Sequence, residues 1–310
     1  MENLIITIVG GTGFLGRYVV RDLARAGYRL RVIARHPDAA LFLKTACSPG
    51  RIVLERGDIV RPESLAHKIG GSWAVVNLAG ILHESGRQTF SAVHARGPEK
   101  LAEMARAAGV SRFIHVSALG VGESQGSTYA RSKLLGEKAV LAAFPSATIL
   151  RPSIIFGTED NFFNRFAQMA RFSPVLPLIG GGRTRLQPVY AGDAAKAVLA
   201  CLARADGAGC IYELGGPQIY TFRELMEYIL HVTGRRRALV SVPFSVASCK
   251  AAFLELLPRP PLTRDQVRLL RADNVVALSA LTFADLGISP TAMEMIVPEY
   301  LSRFHRKMAA

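Results

Sequence analysis

The sequence predicts a doubly wound α/β fold: a Rossmann-like parallel sheet with helices on both faces, followed by a smaller, mainly helical C-terminal lobe. Three observations predict it: continuous apolar runs of strand length, amphipathic stretches between those runs, and a glycine-rich turn after the first run. Strands without polar alternation are typical of parallel sheets that are covered on both faces. Right-handed crossovers between such strands give a Rossmann-like sheet.

The first half of the chain alternates strand patterns and helix patterns. Apolar runs predict strands at Leu4–Val9, Leu30–Ala34, Ile52–Glu55, Trp73–Leu78, Arg112–Ser117 and Thr148–Leu150. Helical spacing predicts helices at Phe14–Ala26, Phe90–Ala108 and Tyr129–Ala143. Glycine or proline follows each of these helices closely, as is typical of helix ends.

The pattern changes after Arg151 and Pro152, where loops lengthen and helices follow one another. Two short strands are predicted to return to the sheet, at Gln187–Tyr190 and Ile211–Leu214. Lobe helices are predicted at Phe222–Val232, Phe244–Leu257, Thr263–Leu270 and Met293–Phe304. We therefore expect a Rossmann domain over residues 1–155, with returning segments near residues 187–215, and a smaller substrate or partner lobe over residues 156–310.

The composition limits the classes of function. The chain has 310 residues, half of them hydrophobic, and a formal net charge of +14. A basic balance favours an acidic partner, such as nucleotide phosphates, an anionic membrane surface or an acidic protein. The basic residues are scattered, which argues against nucleic acid. No apolar run reaches the ~20 residues of a membrane span, and we find no signal peptide, so we expect a cytoplasmic protein, at most peripheral on the inner membrane.

The cysteines and histidines carry no metal-binding pattern. Four cysteines lie far apart in apolar surroundings, and they are Cys47, Cys201, Cys210 and Cys249. We expect them to be buried, reduced thiols. No cluster of His, Asp and Glu has the spacing of metal ligands, so no metal site is predicted.

The turn after the first strand carries a dinucleotide-binding pattern. Gly11, Gly13 and Gly16 fit GxGxxG, and Gly10 extends the pattern to GxxGxxG. The pattern lies between a strand and a helix, which is the context that gives it a mechanism. Glycines let the backbone approach a pyrophosphate, and the helix N-terminus offers free N–H groups. We expect the cofactor to contact Gly10, Gly11, Thr12, Gly13, Phe14, Leu15 and Gly16.

The end of the second strand favours NADP(H), with NAD(H) as the alternative. NAD enzymes place an acidic residue there for the ribose 2′-hydroxyl. Here Arg35 and His36 follow the strand, and the first carboxylate is Asp38. An arginine pairs with a 2′-phosphate. Later strand ends add Asp58 and Ile59 at the adenine edge and Leu78, Ala79 and Gly80 along the ribose.

Three further residues predict a carbonyl/alcohol redox site. Tyr129 and Lys133 lie four apart on one helical face, and Ser117 ends the preceding strand, at the edge where ligands bind. Ser117 would bind the reacting oxygen, while the Lys133 ammonium and a cationic nicotinamide would lower the pKa of the Tyr129 phenol. Lys133 would also hold the ribose. The alternative is a surface pair of Tyr129 and Lys133 that binds only the ribose.

These motifs resemble those of the short-chain dehydrogenase/reductase superfamily. GGTGFLG, NLAG, HVSALG, YARSK and LRPSIIFG occur here in that superfamily's order. The stretch RSKLLGEKAV, the segment AFPSATILRPSIIFGTEDNFFNRFA and the motif QPVYAGDAAKAV are similar to an atypical subgroup. That subgroup includes the NADPH-binding accessory subunit of respiratory complex I and its bacterial relatives. The resemblance covers nearly the whole chain.

The resemblance implies bound NADPH and a place near membrane quinone machinery. It implies that Arg35 holds the 2′-phosphate, that the catalytic triad is Ser117, Tyr129 and Lys133, and that the nicotinamide is bordered by Pro152, Ser153 and Ile154. One position departs from the superfamily pattern, since His94 stands where an Asn often relays protons. His94 either relays protons or packs in the core.

Several functions remain open at this point. The first is an NADP(H)-dependent reductase in or near quinone metabolism, acting on a small quinone or lipid-like substrate. The second is a non-catalytic subunit of complex I that its nucleotide stabilises, and the third is a nucleotide-sugar epimerase or dehydratase. Three further segments have two interpretations each. The aromatic stripe from Phe162 to Phe172 is interpreted as core, or alternatively as an apolar substrate pocket or an interfacial surface. The helix at Phe244–Leu257 is interpreted as facing the lobe, or alternatively a membrane. The loop at Gly180–Arg185 is interpreted as a flexible basic loop, or alternatively as a clamp for a substrate phosphate.

Overall fold

The structure is a computed structural model that describes residues 4–46, 50–122, 126–204, 209–257 and 260–305. Its strands are β1 (Ile5–Val9), β2 (Arg29–Ala34), β3 (Ile52–Arg56), β4 (Ala74–Asn77), β5 (Arg112–Val116), β6 (Thr148–Pro152), β7 (Ile155–Phe156), β8 (Val175–Ile179), β9 (Arg185–Leu186), β10 (Val189–Tyr190), β11 (Ile211–Leu214), β12 (Tyr220–Thr221) and β13 (Ala238–Val242). Its α-helices are α1 (Phe14–Arg25), α2 (Ala66–Ile69), α3 (Gly97–Ala107), α4 (Thr128–Ala143), α5 (Phe163–Phe172), α6 (Ala191–Ala203), α7 (Phe222–Val232), α8 (Phe244–Leu254), α9 (Arg264–Leu269) and α10 (Met293–Leu301).

A seven-stranded sheet forms the centre of the molecule, in the order β3-β2-β1-β4-β5-β6-β11. Every pair of neighbours in it is parallel. The order reverses at β1, so a crevice opens beside its carboxyl end, where ligands bind in sheets of this kind. The predicted doubly wound fold is confirmed.

Helices bury both faces of this sheet. On one face α1 and α6 pack together, and Val20 and Val198 are fully buried there. On the other face α3 and α4 pack together, with Leu101 and Val140 fully buried. Full burial of a side chain of this size contributes about 1.5–3 kcal/mol. The continuous apolar strands of the sequence are explained, because both of their faces lie in core.

The helix predicted over Phe90–Ala108 is divided in two. Ser91–Arg96 is a π-helix, and α3 begins only at Gly97. Pro98 has no N–H to donate to the carbonyl four residues earlier, so a regular α-helix cannot continue through it. The wider turn takes its place, and the Gly97 N–H donates to the carbonyl of Ala92.

One of the two predicted returning strands is wrong and the other is confirmed. The predicted strand at Gln187–Tyr190 is shortened to β10, which pairs with β7 outside the main sheet. Pro188 has no N–H for a sheet ladder, and the Gln187 N–H donates to the carbonyl of Asn274 instead. By contrast, β11 returns to the sheet and pairs in parallel with β6.

The C-terminal lobe has more strands than its sequence predicts. A parallel pair, β8 and β13, and an antiparallel pair, β9 and β12, stand beside its helices. Pro177 lies inside β8, which hides the strand pattern and restricts the segment to a sheet edge. Most of the aromatic stripe is core: Phe163 is fully buried, and Phe162 and Phe166 pack edge-on against Phe222. Phe172, at the end of the stripe, is 73% exposed.

Helix α8 faces the lobe with its small residues and the surroundings with its large ones. Ala247 and Ala251 are buried, whereas Val246 and Phe253 are 46% and 71% exposed. Leu256, two residues past the end of the helix, is 83% exposed. Within the described ranges, no helix combines the length and apolarity that crossing a bilayer requires.

The expectation of buried cysteines holds for one of them and is wrong for another. Cys201 is buried, whereas Cys249, on the outer side of α8, is exposed. Cys210 is intermediate, and Cys47 lies outside the described residues.

Candidate functional site

The glycine turn after β1 fits closely against neighbouring backbone. Gly10 has a φ of +83°, and a Cβ there would lie 2.7 Å from the Ala79 nitrogen. A Cβ on Gly16 would collide with the Gly10 carbonyl oxygen, and one on Gly11 would lie 2.8 Å from a methyl group of Val32. A side chain at any of these positions would push α1 away from the sheet, so only glycine keeps the helix N-terminus at the crevice.

That helix N-terminus is open to a ligand. Gly13 is the N-cap of α1, no side chain caps the helix, and its first turn contains no acidic residue. The first N–H groups, on Phe14, Leu15 and Gly16, have no intrahelical acceptor. Free N–H groups and the positive end of the helix dipole suit a diphosphate.

A basic cluster lies at the carboxyl ends of β2 and β3. Arg35 and His36 are exposed directly after β2. Arg56, which the sequence analysis missed, is exposed and stands in register with Ala34 on the neighbouring strand. The sequence did carry a signal for Arg56, because it is a basic residue at the end of the third strand. That strand pairs with β2, whose end carries the position that distinguishes NADP(H) from NAD(H).

Asp58 and Ile59 have structural contacts of their own. The Asp58 carboxylate accepts hydrogen bonds from the Val60 N–H (3.2 Å) and from the Gln88 amide (3.0 Å). Ile59 is buried against the sheet. Asp58 therefore ties the loop before the π-helix to the end of β3, and its predicted contact with adenine stays a prediction.

The end of β4 is fixed from both sides. The Asn77 side chain accepts the Ala79 N–H (3.1 Å) and lies 3.0 Å from Nδ1 of His115. The Leu78 N–H donates to the Val9 carbonyl at 2.8 Å. This double anchor holds the Leu78–Ala79 backbone against the glycine turn, so the predicted pyrophosphate and ribose segments adjoin each other.

Ser117 carries a buried hydroxyl that has no hydrogen-bond partner among the described residues. An unsatisfied buried hydroxyl costs about 1–3 kcal/mol. The neighbouring residue Val116 accepts a hydrogen bond from the Lys133 Nζ (3.2 Å), and Nζ would lie 3.4 Å from a Cβ on Gly80. The Lys133 ammonium thus lies between the end of β5, directly before Ser117, and Gly80 after β4. The orphaned Ser117 hydroxyl could bind a substrate oxygen.

The charge of Lys133 is weakened by its surroundings. Burial lowers the pKa of the Lys133 ammonium to about 8, although the Glu137 carboxylate acts in the opposite direction. The ammonium still carries most of its charge at neutral pH.

Tyr129 stands in the first turn of α4 and is half-buried. Its ring packs edge-on against His94 (5.2 Å between centroids) and Phe90 (5.9 Å). Burial raises the pKa of the phenol to about 12, and the Asp265 carboxylate contributes to the same rise. Without the nucleotide, burial dominates this pKa, and the Lys133 ammonium is engaged by the Val116 carbonyl. The lowering expected from Lys133 together with a cationic nicotinamide stays a prediction. A phenol that is protonated at neutral pH is suited to donate a proton.

His94 packs and has no free nitrogen for a relay. Its Nε2 accepts the Ile81 N–H at 3.0 Å, and its Nδ1 lies 2.9 Å from the Ser132 hydroxyl. That hydroxyl donates to the Tyr129 carbonyl, so Nδ1 carries the proton. Burial, with smaller effects of Lys133 and His115, lowers the pKa of His94 to about 2. The structure therefore favours the packing interpretation.

Pro152, the last residue of β6, and Ser153 after it are buried, and Ile154 is half-buried. The Ser153 hydroxyl donates to the Asn274 side chain (2.6 Å), whose amide in turn donates to the Leu119 carbonyl (2.9 Å). Asn274 joins the ends of β5 and β6, and the sequence analysis missed it because no local pattern marks it. Whether Pro152, Ser153 and Ile154 border a nicotinamide stays a prediction.

The glycine-rich loop at residues 180–185 and Glu84 after β4 form contacts of their own. Arg183 and Arg185 of the glycine-rich loop are both exposed, and Arg185 forms an ion pair with Asp273 at 2.8 Å. Glu84 accepts the Phe90 N–H at 2.6 Å. In the part of the chain that the structure describes, no group of His, Cys, Asp and Glu is placed to hold a metal ion.

Comparison with known proteins shows the family and the fold of the chain. The sequence profile of the NAD dependent epimerase/dehydratase family matches residues 6–215, which include the glycine turn, Ser117, Tyr129 and Lys133. A dTDP-glucose 4,6-dehydratase from Streptomyces venezuelae, whose crystal structure contains NAD and TYD, superposes with a TM-score of 0.76 and 22% identity over 97% of this chain and 96% of that one. At this identity the likeness shows the fold alone.

Two curated relatives extend the similarity. The mitochondrial NADH dehydrogenase (ubiquinone) 1 alpha subcomplex subunit 9 of Arabidopsis thaliana is 35% identical over 319 residues, 99% of this chain and 79% of that protein. The ceramide reductase of Caulobacter vibrioides is 36% identical over 241 residues, 77% of this chain and 74% of that protein. On the profile match and these similarities, the chain belongs to the NAD dependent epimerase/dehydratase family.

Proposed function

We propose that this chain is an NADP(H)-dependent reductase of a small, hydrophobic carbonyl substrate, such as a quinone or a lipid-like ketone. The observation that carries the proposal is the buried hydroxyl of Ser117, which has no hydrogen-bond partner among the described residues. It directly follows Val116, which binds Lys133, and only the end of β4 separates it from the glycine turn. A relative named for reducing ceramide supports a lipid-like substrate. Another relative, named for ubiquinone oxidoreduction, supports a quinone.

The chain's own residues suit reduction rather than oxidation. The Ser117 hydroxyl binds the carbonyl oxygen, and Tyr129, which holds its proton at neutral pH, donates it to that oxygen. The bound NADPH supplies the hydride. Lys133 keeps the end of β5 in place through the Val116 carbonyl and places a positive charge beside the reacting oxygen.

Matched variants test the catalytic assignment. NADPH consumption is followed with a water-soluble ubiquinone analogue and a ceramide-type ketone. Tyr129→Phe should lower kcat by about 10²–10⁴-fold, the usual contribution of a general acid, with NADPH affinity unchanged. Tyr220→Phe, whose hydroxyl binds Glu294 at the surface, is the control. Turnover of either probe that survives in Tyr129→Phe would exclude Tyr129 as the proton donor.

For the cofactor we propose NADP(H) over NAD(H). Arg35 supports this choice together with Arg56, since two exposed guanidinium groups end adjacent strands where an NAD enzyme carries an acid. The glycine turn, with Asp58, Ile59, Leu78, Ala79 and Gly80 beside it, would hold the rest of the nucleotide. Arg35→Ala should raise the Kd for NADPH on the order of tenfold or more, as loss of a charged hydrogen bond does, and leave the Kd for NADH unchanged.

Arg29→Ala is the matched control for this test. Arg29 is exposed at the opposite end of the same strand, so its loss changes the net charge equally without touching the crevice. Tighter binding of NADH than of NADPH by the unmodified protein would contradict the proposal.

A second candidate function is that of an accessory subunit of respiratory complex I which the nucleotide stabilises without turnover. Two observations favour it: similarity to such a subunit over 99% of the chain, and the outward apolar face of α8. That face, with Val246 and Phe253 and with Leu256 just past the helix end, suits a protein partner or peripheral contact with a membrane. Co-purification of the tagged protein with complex I subunits, lost in Phe253→Ser with Leu256→Ser and kept in Met295→Ser, would support it. A free protein with robust turnover would oppose it.

A further inference from the structure

The N-terminus of the helix that carries Tyr129 and Lys133 is held by a residue from the other end of the chain. Asp265, in α9, accepts the Thr128 N–H at 2.7 Å and the Tyr129 N–H at 3.0 Å. It also accepts the hydroxyl of Ser127 at 2.6 Å, while that hydroxyl accepts the Ala130 N–H. The first turn of α4 therefore has all its N–H groups satisfied, and most of them by one distant carboxylate.

The local sequence would have capped this helix without Asp265. Ser127 has extended backbone geometry and the side chain of a normal N-cap. The added carboxylate brings a full negative charge to the positive end of the helix dipole, next to Tyr129. Its only close ion-pair partner among the described residues is Arg268, at 3.8 Å, and its side chain is only 14% exposed.

The segment around Asp265 holds the catalytic site at several points. Farther along the same segment, Asn274 binds the Leu119 carbonyl and the Ser153 hydroxyl, which follow β5 and β6 on either side of Ser117. Asp273 pairs with Arg185 of β9. None of the hydrogen bonds described for residues 263–274 reaches the glycine turn at residues 10–16.

We propose that Asp265 is a positioning residue for proton transfer: it fixes the Tyr129 end of α4 and so joins segment 263–274 of the C-terminal lobe to the catalytic tyrosine. The proposal rests on the proposed reductase function. Asp265 touches no reacting atom and acts through the backbone and the charge that it presents to α4. A substrate that binds against segment 263–274 would thereby affect the position of Tyr129, its proton donor.

The charged groups around Tyr129 determine how a variant of Asp265 should change the pKa of the Tyr129 phenol. The titratable groups that face the phenol are His94 from the π-helix, Lys133 one turn along α4, and Asp265 from α9. His94 is neutral, because burial holds its pKa at about 2. Asp265 is thus the one negative charge among them, and it makes loss of the Tyr129 proton less favourable.

The test reads Tyr129 directly and needs no substrate. A fluorinated tyrosine, which is more acidic than tyrosine, is placed at position 129 of the full chain, and its titration is followed by ¹⁹F NMR below the pH of alkaline unfolding. Asp265→Asn and Asp265→Ala should lower the titration midpoint by about one pH unit or more, the usual effect of removing a nearby like charge. Asp265→Glu should restore the midpoint.

Asp285→Asn is the matched control, since Asp285 caps the Thr282 N–H in an exposed turn away from the site. An unchanged midpoint in both Asp265→Asn and Asp265→Ala overturns the proposal. In the kinetic arm, Asp265→Ala should lower kcat for the ubiquinone analogue about tenfold or more through misplacement of the donor, with KM for NADPH unchanged. If the unmodified protein reduces no carbonyl, the reductase function fails, whereas the ¹⁹F titration still decides the role of Asp265.

Discussion

At the scale of single residues, the site is built on two histidines that the fold keeps neutral. His94 and His115 are both buried, and burial lowers their pKa values to about 2 and about 3, with Lys133 acting in the same direction. Nδ1 of His115 lies 3.0 Å from the amide of Asn77, the residue that anchors the end of β4. Protonation of either ring would place a second positive charge beneath the Lys133 ammonium.

Stability should therefore fall as the pH falls below the ordinary histidine pKa of about 6.5. A base whose pKa is depressed by folding binds its proton only in the unfolded chain, so acid favours unfolding. The two histidines together should lower the free energy of unfolding by about 2 kcal/mol between pH 6.5 and 5.5. Urea unfolding at the two pH values measures the difference.

Variants separate this effect from general acid sensitivity. His94→Gln should halve the pH dependence, whatever it does to stability at neutral pH. His67→Gln, at an exposed position on α2, should leave the dependence as it is. Stability that does not change between the two pH values would contradict the burial of neutral rings.

The proposed catalytic residues could be named from the sequence because each carries a local signal. Ser117 follows an apolar strand, and Tyr129 and Lys133 share a helical face, so sheet topology places the strand end and the helix on the ligand-binding edge. Asp265 and Asn274 gave no such signal. Their partners lie 136–138 and 121–155 residues away in sequence, and contacts of that range depend on how the lobe folds back.

At the scale of elements, α4 lies against the π-helix without space for a side chain between them. A Cβ on Gly136 would overlap the carbonyl oxygen of His94. This close contact holds α4 against the π-helix that carries His94, whose ring packs edge-on against Tyr129.

Gly136→Ala should destabilise the fold by about 1–3 kcal/mol or more, since the colliding atom is backbone and cannot rotate away. Chemical denaturation measures the loss. Gly70→Ala is the control, because nothing lies within 4 Å of a Cβ there and its φ is negative. Equal stability of the two variants would show that α4 has room to move.

Prolines account for three differences between the predicted and the observed elements. Pro98 divides a predicted helix, Pro177 hides β8, and Pro188 shortens β10. Each removes a backbone donor, and beside Pro188 the Gln187 N–H donates to Asn274, a distant partner that a local pattern cannot reveal. Where the sequence predicts an element that has no internal proline, the limits agree within a few residues, as they do for β2 and α7.

At the scale of the whole molecule, the parallel sheet and the lobe meet around the crevice that the glycine turn borders. Core clusters fill both faces of the sheet, and a separate cluster around Phe163 and Phe222 fills the lobe. The division into residues 1–155 and 156–310 stays a prediction.

A nucleotide that binds only the folded chain should stabilise the whole of it. NADPH at a hundred times its Kd should raise the free energy of unfolding by about 2.7 kcal/mol, whether or not the protein turns over. Thermal unfolding with NADPH, and with nicotinamide mononucleotide as a control that lacks the adenosine, measures the shift. An identical melting temperature with and without NADPH would contradict binding at the glycine turn.

Because Arg35 and Arg56 are exposed, the preference for NADP(H) over NAD(H) should depend on ionic strength. Mobile counterions screen solvent-facing charges over a Debye length of about 10 Å at 0.1 M salt and about 3 Å at 1 M. The advantage of a 2′-phosphorylated nucleotide over its unphosphorylated analogue should thus be largest in dilute buffer and shrink as salt is added, while the amides of the α1 N-terminus continue to hold the diphosphate common to both.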